Sequence, residues 1–577
     1  MDYNLISKDS KNTNLITQIF LNRGFKPDEI SHYLNTTDAD IINPCLLKNI
    51  DKGIEILRDC IDNNKKIFIV PDVDADGLTS AAILINYLYA LNPEYTRNFI
   101  TYRINEGKQH GIVLQNIPDD VDTVIYPDSA SNDYEQHKIL YERGIRVLVL
   151  DHHEAEKESE YACVINNQLC DYPNKTLSGA GIVYKFCCRM DEIFNVHYAD
   201  LFLDLVALGM VSDMMDVRAF ETKHLIQKGI ANIRNPLFHG LKIKNAYSIG
   251  DTLTPFGISF YITPYINATI RMGTEEEKLT LFESMLDFKA YEQIPSTKRG
   301  CKGQMETRVE QACRNCTNIK NRQTKARDAG LEEVEGLIKR YDLLDNKILT
   351  VLLSQGSMLK NTLTGLVANQ LMAKYQKPVL LLHERENTFE GSARGCNQSK
   401  LEDFKEFLNQ TNLVEYGEGH AQAFGCGIHK NKIAEFIETT NKLLENYDFN
   451  TSYKVDAIFN GENFLIQDIL DIAELKPLYG QGFEEPYVAI ENLTVTKDNL
   501  ILMSPDKKPT LKIKLQNGCS LIKFKSSKEE YEQLYSDTGC IKLNIVGKCE
   551  KNVWNGNISA QIIVSDYEII STQNYYF

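Results

Sequence analysis

KIFIVPDVDADGLTSAAILINYLYA, residues 66–90, decides how this chain is read. A short apolar strand, Lys66–Val70, stops at Pro71 and then sets three carboxylates, Asp72, Asp74 and Asp76, at alternate positions. The apolar run that follows reads as a helix, so the acids fall in a strand-to-helix turn, with Gly77 expected to let the backbone turn sharply. Carboxylates crowded in this way repel one another and cost folding energy unless a cation neutralises them. Taken alone, the run also fits a polar loop or a calcium-binding turn; its surroundings decide.

Outward from it, short apolar strands alternate with helical patterns. The strands are KIFIV, NFITYRI, TVIYPD, RVLVLD and ACVINN; the helices include LTSAAILINYLYAL, YEQHKILYERG and GAGIVYKFCCRMDEIF. Such alternation predicts a mostly parallel α/β sheet, which collects ligands at the carboxyl ends of its strands. Residues 1–60 read as helical, with apolar residues at three- and four-residue spacing. Residues 221–344 read as a helical connector ending in a long charged helix, and 345–447 as a second α/β unit. From 448 to 577 the texture is β-rich, with five or six short strands that suggest a small barrel.

Four acidic or imidazole clusters are expected at strand ends in residues 61–220: Asp72/Asp74/Asp76, Asp128, Asp151-His152-His153, and Asp213 in LGMVSD, which follows a helical run. Each is expected at the same edge of the parallel sheet. Mixed carboxylate and imidazole donors suit Mn²⁺, and all-oxygen sets suit Mg²⁺ or Ca²⁺ better. Two such ions can activate a water and hold both the attacking and the leaving oxygens of a phosphate, so no nucleophilic Ser or Cys is required.

Length and composition agree with a multidomain enzyme. At 577 residues the chain exceeds what one core organises. A net charge of −16 argues against a protein that coats nucleic acid non-specifically, yet between Lys298 and Arg327 nine Lys/Arg stand against two Glu, the composition of a channel wall or of a solvated helix face. No apolar run is long enough for a membrane span and no signal-peptide pattern opens the chain, so a cytoplasmic protein with no membrane partner is expected. Fourteen cysteines read as reduced thiols, and Cys313-x-x-Cys316 lacks the further ligands that zinc requires.

DVDADG, the strand-end Asp128, DHH and LGMVSD together resemble the four motifs of the DHH phosphoesterase superfamily. Within it the chain resembles the RecJ family of single-strand-specific exonucleases along nearly its whole length. PYINATIRMG resembles that family's P-x-INA-x-x-RM segment, GSARGCN and GEGHAQAFG the elements of the DHHA1 domain, and LKPLYGQGFEEP with KNVWNGNISAQIIVSD an oligonucleotide-binding (OB) barrel. The implied architecture is a parallel-sheet DHH domain, a long connecting helix, a second α/β DHHA1 domain and a C-terminal OB barrel.

The resemblance implies roles. Asp74, Asp76, Asp128, His152 and Asp213 match metal ligands for two Mn²⁺ or Mg²⁺ ions, with Asp128 bridging. Asp72 and Asp151 orient ligands, and His153 lies over the scissile phosphate. Arg103, Ser392 and Arg394 grip the terminal 5′ phosphate, while Asn267, Arg271 and His420 contact phosphates near the cut. The chain departs from the family pattern at Ile270, Ala393 and Glu418, where the family has glycine, and at Ser212, where it has alanine. The implied activity is 5′→3′ hydrolysis of single-stranded DNA to 5′-mononucleotides, with a single-strand-binding protein or helicase as protein partner. The competing readings are a DHH phosphodiesterase for short oligonucleotides or cyclic dinucleotides, and a non-catalytic replication scaffold. Trp554 reads as a base-stacking or a packing residue.

Overall fold

The structure, a computed structural model, describes residues 1–7, 14–107, 109–250, 252–396, 399, 401–447, 449, 452–537, 539–554 and 556–574. The chain forms two compact units: one of residues 28–321 and 476–484, the other of residues 1–27, 322–475 and 485–577.

The first unit is built on five parallel strands: β1 (Ile67–Ile69), β2 (Ile100–Tyr102), β3 (Thr123–Pro127), β4 (Arg146–Asp151) and β5 (Cys163–Asn166). Their order across the sheet is β2-β1-β3-β4-β5. Ile67, Ile69, Val124, Ile125, Leu148, Val149 and Ile165 are all buried, the continuous apolar runs of a sheet covered on both faces. Strand order reverses between β1 and β3, and in such sheets the crevice beyond the carboxyl ends at that reversal is where ligands bind. Helix α1 (Ala75–Leu91) follows β1 and is buried on every side along most of its length, as a central helix must be. Helices α2 (Gly179–Phe194) and α3 (Leu203–Ser212) pack on it. Two further helices, α4 (Pro255–Tyr261) and α5 (Thr263–Met272), follow, with α4 against α3 and α5 against α1.

The expected helical connector is not wholly helical. Gln293–Pro295 pairs antiparallel with Met305–Thr307, and the loop between them turns at Gly300 and Gly303, both with positive φ. The long helix α6 therefore begins only at Arg308 and runs to Arg340, 33 residues. The basic stretch is also partly answered within the protein. Arg308 pairs with Glu283 and Glu292, Arg314 with Glu306, and Arg327 with Asp328, while Lys298, Arg299 and Lys302 lie exposed on the hairpin loop. Cys313 and Cys316 are buried in α6, the latter taking a hydrogen bond from the Thr269 hydroxyl, and no cluster of metal-ligating groups includes them among the described residues.

In the second unit, β6 (Leu349–Leu353), β7 (Val379–Glu384), β8 (Thr388–Arg394), β9 (Tyr416–His420) and β10 (Ala423–His429) form a mixed sheet of order β9-β10-β8-β7-β6, in which only β6 and β7 run parallel. Beyond it lies a seven-stranded sheet running, from edge to edge, through Ala457–Asn460, Tyr487–Val495, Gly539–Trp554, Asn557–Asn574, Ser520–Phe524, Thr510–Lys514 and Leu500–Met503. Two of its strands are far longer than the short strands expected from sequence, with register shifts after Lys542 and Val546. Such bulges add local twist to a long strand pair. The reading of residues 1–60 as helical needs correction at its start: Asp2–Leu5 is a strand, paired in parallel with Ser452–Val455. Its alternating side chains lie half-exposed, so no helical period marks it. The Trp554 side chain lies outside the described residues.

Candidate metal centre

The carboxyl ends of β1, β3 and β4 converge as the sequence predicts, and Asp213 joins them by another route. It caps the C-terminus of helix α3 instead of ending a strand. A helix whose last turn faces the strand ends delivers a side chain to the same place, which corrects the expectation of four strand-end clusters.

Glycines make the convergence possible, for a reason other than the one expected. Gly77 lies inside α1 with ordinary helical backbone; a Cβ there would sit 2.5 Å from the Asp72 Cβ. At Gly179 a Cβ would approach the Asp128 Cβ to 2.4 Å, and at Gly209 it would come within 2.3 Å of Asp76 Oδ1. Missing side chains on three helices thus let three buried carboxylates approach. Asp128 itself has a left-handed backbone, φ 72°, a conformation that Asp tolerates better than most residues and that marks functional strain.

Asp74 caps α1, accepting from Gly77 N at 2.9 Å. Asp76, 1% exposed, accepts from the Ser178 hydroxyl at 2.9 Å, Gly179 N at 2.7 Å and Ala180 N at 3.2 Å, so the N-terminus of α2 orients it. Even so, burial and the neighbouring Asp74 push its carboxyl up to about 6. Burial and the surrounding carboxylates drive Asp128 well above the usual carboxylate range, and burial with Asp76 and Asp74 pushes Asp213 up to about 8. The site is overloaded with negative charge.

The histidines complement this. Burial holds His152 down to about 4, so its imidazole is neutral and its Nε2 lone pair free to ligate. That Nε2 lies 3.2 Å from both Asp128 Oδ1 and Asp213 Oδ2, yet forms no hydrogen bond; His152 Nε2 and Asp128 Oδ1 are buried polar atoms without partners. Lone-pair-bearing atoms that face one another across such a gap, without hydrogen-bond partners, suit a shared cation. Three overlapping groups emerge, the ligand atoms of each within 4.8 Å of one another: Asp76/His152/Asp213, Asp72/Asp74/Asp128, and Asp128/Asp151/His152/His153. Asp128 and His152 each belong to two. The residues present therefore fit divalent metal, and the overlap at Asp128 fits more than one ion.

Around them, Asp151 accepts from the backbone N–H groups of Ser131, His152 and His153 and from His153 Nδ1 at 2.7 Å. Burial would raise this carboxyl, but the His153 hydrogen bond, the nearby His153 and His152 rings and the hydrogen bond from Ser131 together outweigh it and hold Asp151 well below the usual range. The His153 ring stays more than half exposed beside His152, centroids 4.4 Å apart. Asp72 accepts from or donates to His110 Nδ1 at 2.7 Å. His110, with Ser178, Gly179 and Ser131, is a contributor that the motif reading passed over. The signal was faint: His110 lies in the same segment as Arg103, and LSGAG reads as an ordinary helix start.

The phosphate-contact candidates divide between the units. Arg103 is half-exposed, 3.6 Å from Glu106; Arg271 ends α5, electrostatically coupled to Asp74; the buried Asn267 Oδ1 has no hydrogen-bond partner. These belong to the unit that carries the carboxylates. Ser392 and Arg394 lie on β8 and His420 ends β9, in the other unit. A Cβ at Gly365 would meet Arg394 Nη2 at 2.5 Å and Ser392 Oγ at 3.5 Å, so that glycine leaves both side chains their room. Of the departures, Ile270 and Ala393 are buried, whereas Glu418 is exposed two residues from His420 on the same strand. Ser212 shares a 2.8 Å hydrogen bond with Thr263, tying the end of α3 to the start of α5.

Comparison with known proteins agrees with this geometry. Residues 66–210 match the DHH family, N-terminal domain, and residues 455–566 the RecJ OB domain. A prophage-derived protein of Bacillus subtilis, provisionally named a single-strand DNA-specific exonuclease, is 35% identical over 583 residues, 99% of each chain. The B. subtilis single-stranded-DNA-specific exonuclease RecJ is 23% identical, over 97% of this chain and 69% of its own. The crystal structure of Thermus thermophilus RecJ in complex with Mn²⁺ shares the fold, TM-score 0.70 at 19% identity, over 96% of this chain and 75% of that one. No helix among the described residues is long and apolar enough to cross a membrane. The chain belongs to the RecJ-like single-strand-specific exonuclease family of the DHH phosphoesterase superfamily.

Proposed function

We propose that this chain is a metal-dependent exonuclease that degrades single-stranded DNA from its 5′ end, releasing nucleoside 5′-monophosphates. The observation that carries the reading is the pair of orphaned buried atoms, Asp128 Oδ1 and His152 Nε2, at the overlap of the ligand groups. Asp74, Asp76, Asp128, His152 and Asp213 would hold two Mn²⁺ or Mg²⁺ ions, which when bound supply Lewis acidity and a water nucleophile at neutral pH.

The chain's own groups do the rest. Asp151 accepts a hydrogen bond from His153 Nδ1–H and so fixes the ring; that bond also pushes the imidazole up to about 9, so the cationic ring keeps an Nε2–H to donate to a phosphate oxygen. Asp72, tied to His110, sets the position of the turn that carries Asp74 and Asp76. Arg271 and Asn267 would neutralise and orient the phosphate at the cut, and Arg103, Ser392, Arg394 and His420 would bind phosphates of the strand; Arg suits this by its bidentate fork. The C-terminal OB domain would grip the strand without regard to sequence. A complete ligand set separates this reading from a non-catalytic scaffold, and a strand-gripping domain separates it from an enzyme for dinucleotides.

The test is Mn²⁺-dependent digestion of single-stranded DNA labelled at either end, with Asp76→Ala as control. Early release of a labelled mononucleotide from the 5′-labelled strand alone, lost in the variant, is the expected result. Cleavage of dinucleotides but not of long strands would overturn it.

A further inference from the structure

Next to the metal centre the first unit exposes a pair of aromatic rings that no role above uses. Phe256 and Phe260 lie one turn apart on α4, 38% and 60% exposed, with ring centroids 4.3 Å apart and planes inclined by 26°. Tyr261 meets Phe256 edge-on at 6.4 Å. The helix is firmly seated: Thr254 caps it, accepting from Gly257 N at 3.2 Å, and Pro255, Gly257 and Ile258 are buried beneath. The pair is therefore a rigid surface feature with both residues exposed to solvent.

Its placement supplies the argument. Three residues after Phe260, Thr263 shares its hydroxyl hydrogen bond with Ser212, which immediately precedes the candidate ligand Asp213. Helix α5, which starts at Thr263, carries Asn267 and Arg271. The corner between α4 and α5 is thus pinned to the carboxylate cluster on one side and bears exposed aromatic faces on the other. A single strand alternates phosphates with bases. A strand whose phosphate lies at the carboxylates and at Arg271 brings a base to this corner.

We propose that Phe256 and Phe260 form a stacking platform for an unpaired base of the DNA strand being digested. The proposal rests on the exonuclease reading above and adds a specificity element to it. A base in a duplex already has both faces covered by its neighbours, whereas an unpaired base offers a free face; aromatic stacking accepts any base. The platform therefore favours unpaired over paired strands without reading sequence.

The experiment uses the full chain with Mn²⁺: wild type, Phe256→Ala/Phe260→Ala, and Phe260→Tyr. Substrates are an oligothymidylate, and thymidine 5′-(p-nitrophenyl phosphate), which is too short to reach the platform while spanning the cut. The double variant is expected to raise KM for the oligonucleotide about tenfold or more, with kcat and hydrolysis of the small ester unchanged and Phe260→Tyr close to wild type. A 2-aminopurine in the strand should be quenched by wild type and released in the double variant. An unchanged KM together with unchanged quenching in the double variant would overturn the platform while leaving the exonuclease reading intact. A wild type that hydrolyses the small ester but neither digests nor binds the strand would overturn both.

Discussion

The two five-stranded sheets handle polar function in opposite ways. The parallel sheet of the first unit buries its charge. Asp72, Asp76, Asp128 and Asp151 are each less than 5% exposed, held by backbone N–H groups and by glycines that leave no space for a Cβ. The mixed sheet of the second unit keeps its candidates at the surface: Ser392 and Arg394 half-buried on β8, His420 exposed at the end of β9. Buried carboxylates repel and must be answered by cations, so the first region stores electrostatic strain that binding relieves. Surface arginine and serine store none. Under the proposed function, the first sheet would carry the chemistry and the second the grip.

If that contrast is right, the largest effects lie in the first sheet. Asp128→Asn should abolish Mn²⁺-dependent digestion and yet raise the thermal midpoint of the metal-free protein, because it removes the carboxylate most crowded by others. Calorimetry in chelator beside an activity assay would show both; a lower midpoint would break the strain account. Gly209→Ala should follow, destabilising by about 1–3 kcal/mol through overpacking against Asp76 Oδ1, Ala180 and Thr79. Gly425→Ala in the second sheet, where a Cβ meets nothing nearer than 3.8 Å, should stay within about 0.5 kcal/mol in the same urea titration.

Grip should fail differently. Arg394→Ala is expected to raise KM for a 5′-phosphorylated strand by about tenfold to a hundredfold, the worth of hydrogen bonds to a charged group, with kcat nearly unchanged. A strand with a 5′ hydroxyl should show little difference. A fall in kcat at constant KM would place Arg394 with the chemistry and erase the contrast between the sheets.

A further effect concerns pH. His137, fully buried against Ser159 beside the first sheet, is pushed down to about 4 by burial. In the unfolded chain it takes a proton near pH 6.5, so as pH falls from 6.5 to about 4 the unfolded state gains a proton that the folded state refuses. Stability should therefore decline through that window by up to about 3 kcal/mol from this residue. In His137→Gln the decline measured by urea titration should be shallower; an equal slope would mean that His137 is protonated in the fold.

What was legible in the sequence follows the same division. D-x-D-x-D-G, the strand-end Asp128 and D-H-H stand out because ligands at strand ends must be closely spaced, and the alternating texture places them at one edge. Asp213 was found as a residue after a helical run, LDLVALGMVS, yet grouped with the strand-end clusters, because spacing alone does not show that the last turn of that helix faces the strand ends. Gly77 was noticed for a turn it does not make; the absence of a Cβ against Asp72 is a contact between positions that only the folded chain brings together. His110 and Ser178 gave no periodic or motif signal. The strand Asp2–Leu5 was invisible because its partner, Ser452–Val455, lies some 450 residues away.

The most direct test of the central claim is the Mn²⁺ stoichiometry of the purified chain by electron paramagnetic resonance titration. Two ions per wild-type chain, reduced in Asp128→Asn because that residue belongs to two of the three ligand groups, is the predicted result. No tight Mn²⁺ binding, or a stoichiometry unaltered by Asp128→Asn, would contradict the metal centre described here.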